Sequence, residues 1–451
     1  MFTVKMPSAF FPFNNSVRVV LFFVLIICFT LLSVCKKEED EKQEIYPADV
    51  AIAWFNLQLR LTRGTPGFNS IVSNRSFAYL GLTLYESIVP ALKKYQSIAP
   101  QLNGNLTLPS PQAGKKFYLP SSANAALASI SKKLFANTTP ALMGAIDSLE
   151  VSFAAQFQQK APAGELQRAV DFGRLIADAI FEWSKTDGGH EAYKNLTSPQ
   201  YTPPAGPGLW VPTPPLFAQP LHPFWGMNRS FIPNLIAQTA AAPPPVYSEV
   251  SSSDFYKAAQ EIFTISQSLS REDTIVARFW ADLPANYNVP AHATNILSQL
   301  IEQKKISLPE AAVLYCKHGI AGNESIIACF NSKYRFNMVR PVTYIRNVLG
   351  YATWSPLIPT PPFPEYTSAH AIVSTAMVTV LEEAFGKNFS FTDRSYEQLY
   401  GARSYASLEA YATEATISRL YGGIHYRFGA EEGVKQGKKV GQLVNGLRFT
   451  R

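Results

Sequence analysis

Lys333-Tyr334-Arg335-Phe336-Asn337-Met338-Val339-Arg340-Pro341 closes a long apolar helical run that begins at Leu308. Lys333 and Arg340 stand seven residues apart, which is two helical turns, so the spacing predicts both cations on one helix face. Two cations held side by side repel each other unless an anion lies between them. A solvated helix face explains the same pair without any anion, so this stretch establishes a helix and only raises the question of a ligand.

The pattern around it is helical almost throughout. Val50, Ala53, Trp54, Leu57 and Leu61 recur at three- and four-residue spacing, and similar periodicity runs through 76–95, 124–135, 141–158 and 164–183. Asp187-Gly188-Gly189 ends the last of these. Further helices are expected over 253–268, 273–281, 292–303, 308–332, 368–385, 404–420 and 432–447. Between them, Thr197 to Pro245 carries too many prolines for a regular helix. Trp210, Phe217, Phe224 and Trp225 are interleaved there, which predicts a packed irregular segment that wraps the surface or walls a pocket. Alternating strand-like runs are scarce, so the fold class is all-α.

Two further stretches carry chemistry. Phe363-Pro364-Glu365-Tyr366-Thr367-Ser368-Ala369-His370 leads into an apolar helix. Thr367 or Ser368 can cap it, and its first turn presents free N–H groups, so a hydroxyl, an amide and an imidazole meet where an anion is favoured. Ser418-Arg419-Leu420-Tyr421-Gly422-Gly423-Ile424-His425 runs a helix into two glycines that let the chain turn before His425. Arg419 can fork onto two oxygens of one anion, and His425 can act on the same centre as nucleophile or ligand. Taken singly, each has a structural explanation: a plain cap with a surface histidine, or basic residues at a helix C-terminus.

In that order the three stretches, Lys-x6-Arg-Pro, Ser-x-His and Ser-Arg-x5-His, resemble the signature of the vanadium haloperoxidase and type 2 phosphatidic acid phosphatase superfamily. The resemblance covers about residues 310–435, and Trp225-Gly226 and 290–292 are similar to its extracytoplasmic haloperoxidase-related branch. It implies an all-helical bundle of that type with an N-terminal helical extension. It also implies that Lys333, Arg340, Ser368, the Ala369 amide and Arg419 bind the equatorial oxygens of vanadate or phosphate. His425 would be the apical vanadium ligand, or the nucleophile in a phosphatase. His370 would be the general acid or base, and the aromatic Phe363 would border the halide or substrate pocket. Both reactions pass through a trigonal bipyramidal centre whose charge spreads over three oxygens, which such donors stabilise.

Two positions depart from the superfamily pattern. Ala369 stands where glycine is usual, and would resist a positive φ at a cost of about 1 kcal/mol if one were needed. Gly429 stands where an aspartate often follows the second histidine, so the carboxylate that orients His425 must come from elsewhere, with Glu324 the candidate.

The remaining composition bounds the setting. The 451 residues are 47% apolar and only 16% charged, enough for a large core. Lys5 and Arg18 precede an apolar run from Val19 to Val34 that ends at Cys35, and without those two cations the formal charge falls from +7 to about +5. So mild and scattered an excess offers no basic stripe for nucleic acid. Sixteen apolar residues are short for a membrane span but fit a signal-peptide core. Leu32-Ser33-Val34-Cys35 resembles a bacterial lipoprotein processing site, so an exported, lipid-anchored periplasmic or surface protein is expected, with an uncleaved anchor as the alternative. Cys316 and Cys329 lie too far apart along one helix for a disulfide and are expected as buried thiols.

The expected organisation is a lipoprotein-like signal peptide over 1–35, a tether over 36–47, an N-terminal helical region over 48–186, a Pro-rich segment over 187–250 and a catalytic domain over 251–451. Three functions are weighed, the first as the expected one and the other two as its alternatives. One is a vanadate-dependent haloperoxidase, with hydrogen peroxide and halide as substrates. Another is an acid phosphatase acting on a phosphomonoester through a phosphohistidine. The third is a non-catalytic surface lipoprotein that binds an oxyanion.

Overall fold

The computed structural model describes residues 1–7, 46–281, 283 and 286–451. The expected signal peptide and tether fall, from residue 8 to 45, outside the described residues. From Tyr46 to Arg451 the chain forms one compact unit. Besides single turns, its helices are α1 (Asp49–Gly64), α2 (Ser70–Ile88), α3 (Leu119–Leu134), α4 (Pro140–Phe157), α5 (Ala163–Ser184), α6 (Asp254–Gln267), α7 (Arg271–Phe279), α8 (Val289–Gln303), α9 (Leu308–Phe336), α10 (Pro341–Asn347), α11 (Ala369–Phe385), α12 (Leu408–Tyr421) and α13 (Arg427–Asn445). Among the described residues the strands are β1 (Phe391–Asp393) and β2 (Arg403–Tyr405), paired antiparallel with Thr392 opposite Ser404. The fold is all-helical in character, as its periodicity predicts.

The axis of the unit is α9, 29 residues and about 43 Å long. It starts at a capping box, in which Ser307 and Glu310 satisfy each other's amides. It stops at Asn337, whose left-handed backbone (φ 45°) ends the helix. Nearly every side chain between is buried, because α2 covers one side while α11 and α13 cover another. The α2–α9 contact depends on glycine. A Cβ on Gly319 would lie 2.5 Å from the Phe77 carbonyl oxygen, and one on Gly81 equally close to that of Tyr315. The two backbones therefore touch, and apolar side chains from both halves of the chain merge into one cluster. Cys316 and Cys329 are buried free thiols within it. Among the described residues no helix is long and apolar enough to cross a membrane.

Three local expectations are corrected. The run over 76–95 is a helix from Ser70, because Asn69 accepts from the Ile71 and Val72 amides, and Pro90 ends it early. The helix expected from 404 begins at Leu408, since Arg403–Tyr405 pairs as a strand and Arg403 forks onto Glu414 at 3.0 and 2.6 Å. Lys333 and Arg340 do not share a helix face, because α9 ends between them. The Pro-rich segment packs through Trp210 and Trp225, both buried, while Phe217 and Phe224 remain exposed.

Replacing Gly319 by valine forces α2 off α9 and should cost about 1–3 kcal/mol by overpacking. Gly144 on α4, with nothing near its would-be Cβ, should gain up to about 1 kcal/mol when changed to alanine. Urea unfolding midpoints measure both, and a neutral Gly319→Val would refute the close-contact reading.

Candidate active site

Lys333 occupies the last turn of α9, and the chain then runs extended to Arg340, which caps α10. That extended piece is pinned from both sides. The Trp210 amide donates to the Asn337 carbonyl (2.6 Å), the Val339 amide to Gly208 (2.9 Å) and the Glu365 amide to Met338 (3.0 Å). The two cations thus arrive from a helix end and an extended strand of chain, and both are fully buried.

Their partners build the loop before α11. The Lys333 ammonium donates to the carbonyl oxygens of Pro364 (3.0 Å), Glu365 (2.8 Å) and Thr367 (2.6 Å). Arg340 donates from Nε to the Phe363 carbonyl (2.9 Å) and from Nη1 to that of Ile424 (2.9 Å). The same Nη1 donates to Nε2 of His425 at 3.3 Å. The Phe363 ring lies equally near both, 5.0 Å from Lys333 Nζ and 5.1 Å from Arg340 Cζ, close enough for cation–π attraction to each.

His425 follows the Gly422–Gly423 bend at the end of α12, where Gly423 takes φ 73°. Its Nδ1–H donates to Oε1 of Glu365 (2.7 Å), which also accepts the Tyr426 amide (3.1 Å). With Nδ1 protonated and Nε2 accepting from Arg340, the tautomer is set: Nε2 keeps a lone pair. Burial, reinforced by Arg340, Lys333 and Arg419, holds the His425 pKa well below the ordinary imidazole value, so the ring is neutral. His370, in the first turn of α11, is likewise held neutral by burial and by Arg419. Its Nε2–H donates to the Trp280 carbonyl (2.8 Å), leaving Nδ1 as the basic atom.

Burial lowers Lys333 to about 8 and Arg340 to about 10, and raises Glu365 to about 7. Two buried cations therefore face one carboxylate that burial pushes toward neutrality. Arg419 is oriented by the Ser418 hydroxyl (2.9 Å) and points toward the Ala277 carbonyl. The Ser368 hydroxyl is buried without a partner, although its amide donates to Gly429 (3.0 Å). An unpaired buried hydroxyl is costly unless a ligand completes it. Among the described residues no cluster of three metal-binding side chains exists. The donor set is that of an oxyanion site, and vanadate or phosphate fits it.

A cavity of about 390 Å³ opens onto Phe363, Ala369, His370, Arg419, Ile424 and His425. Lys333, Arg340 and Ser368 lie behind that lining. Two expectations are corrected here. Glu324 does not orient His425, because its oxygens accept the Phe231 and Ile232 amides at 3.0 and 3.1 Å. Glu365 does so instead, and Gly429 makes room for it: a Cβ there would stand 2.5 Å from Glu365 Oε1. The strain foreseen at Ala369 is absent, since it begins α11 and is not among the residues with positive φ. Glu365 belongs to the stretch that leads into α11, yet its partner lies 60 residues on, and the missing aspartate at 429 was the one signal that pointed to it.

The fold and site thus define an all-helical protein whose cavity sets two neutral imidazoles against buried cations. Residues 313–448 match the family model of the VCPO second helical-bundle domain. The structure is similar to that of a bacterial vanadium-dependent iodoperoxidase, with a TM-score of 0.79 and 32% identity over 91% of this chain and 98% of that one. Bacterial vanadium-dependent chloroperoxidases in holo and apo form share the fold, with TM-scores of 0.65 and 0.62 at 16% identity. They cover 85% and 89% of this chain and 92% and 95% of their own. A comparison with curated protein sequences returns no match. The chain belongs to the vanadium haloperoxidase superfamily.

Gly429→Ala should push the Glu365 carboxylate off His425 and weaken orthovanadate or phosphate binding roughly 10- to 100-fold. An unchanged affinity would remove Glu365 from the site. Because the folded pKa of Glu365 lies above its ordinary value, the folded state holds an extra proton between about 4.5 and 7. Its contribution to stability is present below that window and lost as pH rises through about 7. The unfolding free energy of wild type minus that of Glu365→Gln should therefore fall from pH 5 to pH 8, whereas parallel profiles would refute the assignment.

Proposed function

We propose that this chain is a vanadium-dependent haloperoxidase that uses hydrogen peroxide to oxidise halide to hypohalous acid. The observation that carries the proposal is the tautomer of His425, whose unprotonated Nε2 faces the cavity and accepts only a long contact from the buried Arg340. In this reading His425 Nε2 would hold vanadium, while Arg340, Arg419, Ser368, Lys333 and the Ala369 amide would hold its oxygens. Bound vanadate would supply an electrophilic centre that activates peroxide for two-electron oxidation of halide, consuming one proton and releasing water.

The rest is the work of the chain. The Arg340 contacts to Nε2 of His425 and to the Pro361 carbonyl are long, at 3.3 and 3.4 Å, so they are readily given up to an arriving anion. Lys333 exchanges one of its three carbonyl partners for an anion oxygen, and the other two keep the loop in place. His370, with Nε2 committed to Trp280, takes and returns protons at Nδ1. Its depressed pKa keeps it a free base until an anion enters, whose charge raises the pKa of both imidazoles. Similarity to an iodoperoxidase makes iodide the first halide to try.

Orthovanadate-loaded protein should form triiodide from iodide and peroxide, and vanadate-free protein should not. His370→Ala should lower the rate roughly 10²- to 10⁴-fold, and His425→Ala should abolish vanadate loading. Vanadate-inhibited hydrolysis of 4-nitrophenyl phosphate without any halide oxidation would overturn the proposal in favour of a phosphatase.

A further inference from the structure

A second cavity lies at the opposite end of α9 from Lys333. It is a groove of about 700 Å³ that shares no lining residue with the cavity over His425. The start of α9 supplies Val313, Leu314 and Lys317 to it, and the end of α11 supplies Glu383 and Phe385. Residues 446–451 close a further side. They are held against residues 94–96 by the Gln96 amide on the Phe449 carbonyl (2.9 Å) and the Arg451 amide on that of Lys94 (3.1 Å). A volume of this order is that of a site for a sizeable organic molecule.

The lining is amphipathic, and its charge is unbalanced. Four cations, Lys94, Lys317, Arg448 and Arg451, stand against two carboxylates, Glu310 and Glu383. Both carboxylates are already engaged. Glu383 pairs with Lys317, the one buried cation of the four, and Glu310 accepts the Ser307 hydroxyl of the α9 cap (2.7 Å). Arg451 spends its Nε on the Tyr95 carbonyl (3.0 Å). Lys94 meets the Tyr95 ring at 5.4 Å, and the Arg448 side chain donates to none of the described residues. Exposed cations therefore rim a floor of Val313, Leu314, Phe385, Leu447 and Phe449. A ligand that satisfies both parts carries a negative head on an apolar body.

The place of the groove selects one such ligand. The compact unit begins at Tyr46, whose carbonyl accepts the Leu308 amide (2.7 Å), and Pro47 bridges Ser307, so the chain enters at the groove's end of α9. Ten residues separate Tyr46 from Cys35, the expected point of lipid attachment. Ten residues span at most about 36 Å, less than the roughly 43 Å length of α9. A lipid on Cys35 would hold the groove, and not the far end of α9, toward a bilayer.

We propose that this groove seats the headgroup and glycerol region of an anionic phospholipid. Lys94 and Arg448 pair with the phosphate, Lys317 adds positive charge beneath it, and the first methylenes of the acyl chains lie on Leu447 and Phe449. Lipid bound there sets the start of α9 against the membrane and leaves the catalytic cavity, at the other end of the helix, open to the aqueous side. The proposal is independent of the reaction catalysed.

The test is a calorimetric titration of the purified protein with dihexanoyl-phosphatidylglycerol below its micellar concentration. Saturating orthovanadate is present throughout, so that the His425 pocket takes no phosphate. Saturable binding at one site is expected, weakened at least about fivefold by Lys94→Glu and by Arg448→Glu, and weakened further as salt is raised. Both positions are exposed, and unchanged urea midpoints check that the variants fold. Dihexanoyl-phosphatidylcholine should bind at least about fivefold more weakly, and inorganic phosphate should not displace the lipid. Absent or non-saturable binding overturns the proposal, as does binding indifferent to both reversals. Equal affinity for the choline lipid overturns the recognition of charge. Displacement by inorganic phosphate at the lipid's own concentration overturns the lipid in favour of a free-anion site.

Discussion

Burying Lys333 and Arg340 is the constraint on which the rest of the site depends. A cation removed from water is costly unless hydrogen bonds replace its hydration. Here five backbone carbonyls, from Phe363, Pro364, Glu365, Thr367 and Ile424, do so at 3.0 Å or less. The same bonds wrap the loop before α11 around the two side chains and bring Ser368 and His370 into place. Glu365 then offsets part of the charge and fixes the tautomer of His425 with the same carboxylate. Charge, loop shape and imidazole chemistry are therefore one problem with one solution. A fully compensated pocket would be more stable and would have nothing to offer an anion; the residual positive potential is what the fold retains.

The remainder of the protein serves that arrangement. The α2–α9 contact, close enough to require Gly81 and Gly319, keeps the long helix that delivers Lys333 rigid and buried. The Pro-rich segment pins residues 337–339 through Gly208 and Trp210 and lends Leu221 to the cavity wall. On the other side, Trp280 ties three elements together. Its carbonyl accepts from His370, its indole N–H donates to Glu414 (3.0 Å), and its ring packs 5.2 Å from His292. His292 is itself held by the buried Asp393 at 2.7 Å. The basic face of His370 is thus aimed by packing that begins two helices away.

Much of the fold was legible because amphipathic periodicity is a local signal. Most helix ends fell within a few residues of expectation, set by caps such as Ser307 and stops such as Asn337. The strand over 403–405 was not legible, since its short run is extended by pairing with residues 391–393 and by the Arg403–Glu414 fork, both non-local. The candidate site shows the same division. The motif residues come together, but Lys333 and Arg340 do so by a break in the helix that their seven-residue spacing concealed. Glu324 looked available only because a buried acid's backbone partners cannot be read from sequence. Glu365 and Gly429 are complementary across 64 residues, and either one alone reads as an ordinary loop acid or an ordinary helical glycine.

A crystal structure of the protein soaked with orthovanadate tests the central claim most directly. The account predicts vanadium bonded to Nε2 of His425, with Arg340 moved from that nitrogen to a vanadate oxygen and the Ser368 hydroxyl partnered at last. Vanadate bound elsewhere, or excluded from the cavity while Arg340 stays on Nε2, would contradict it.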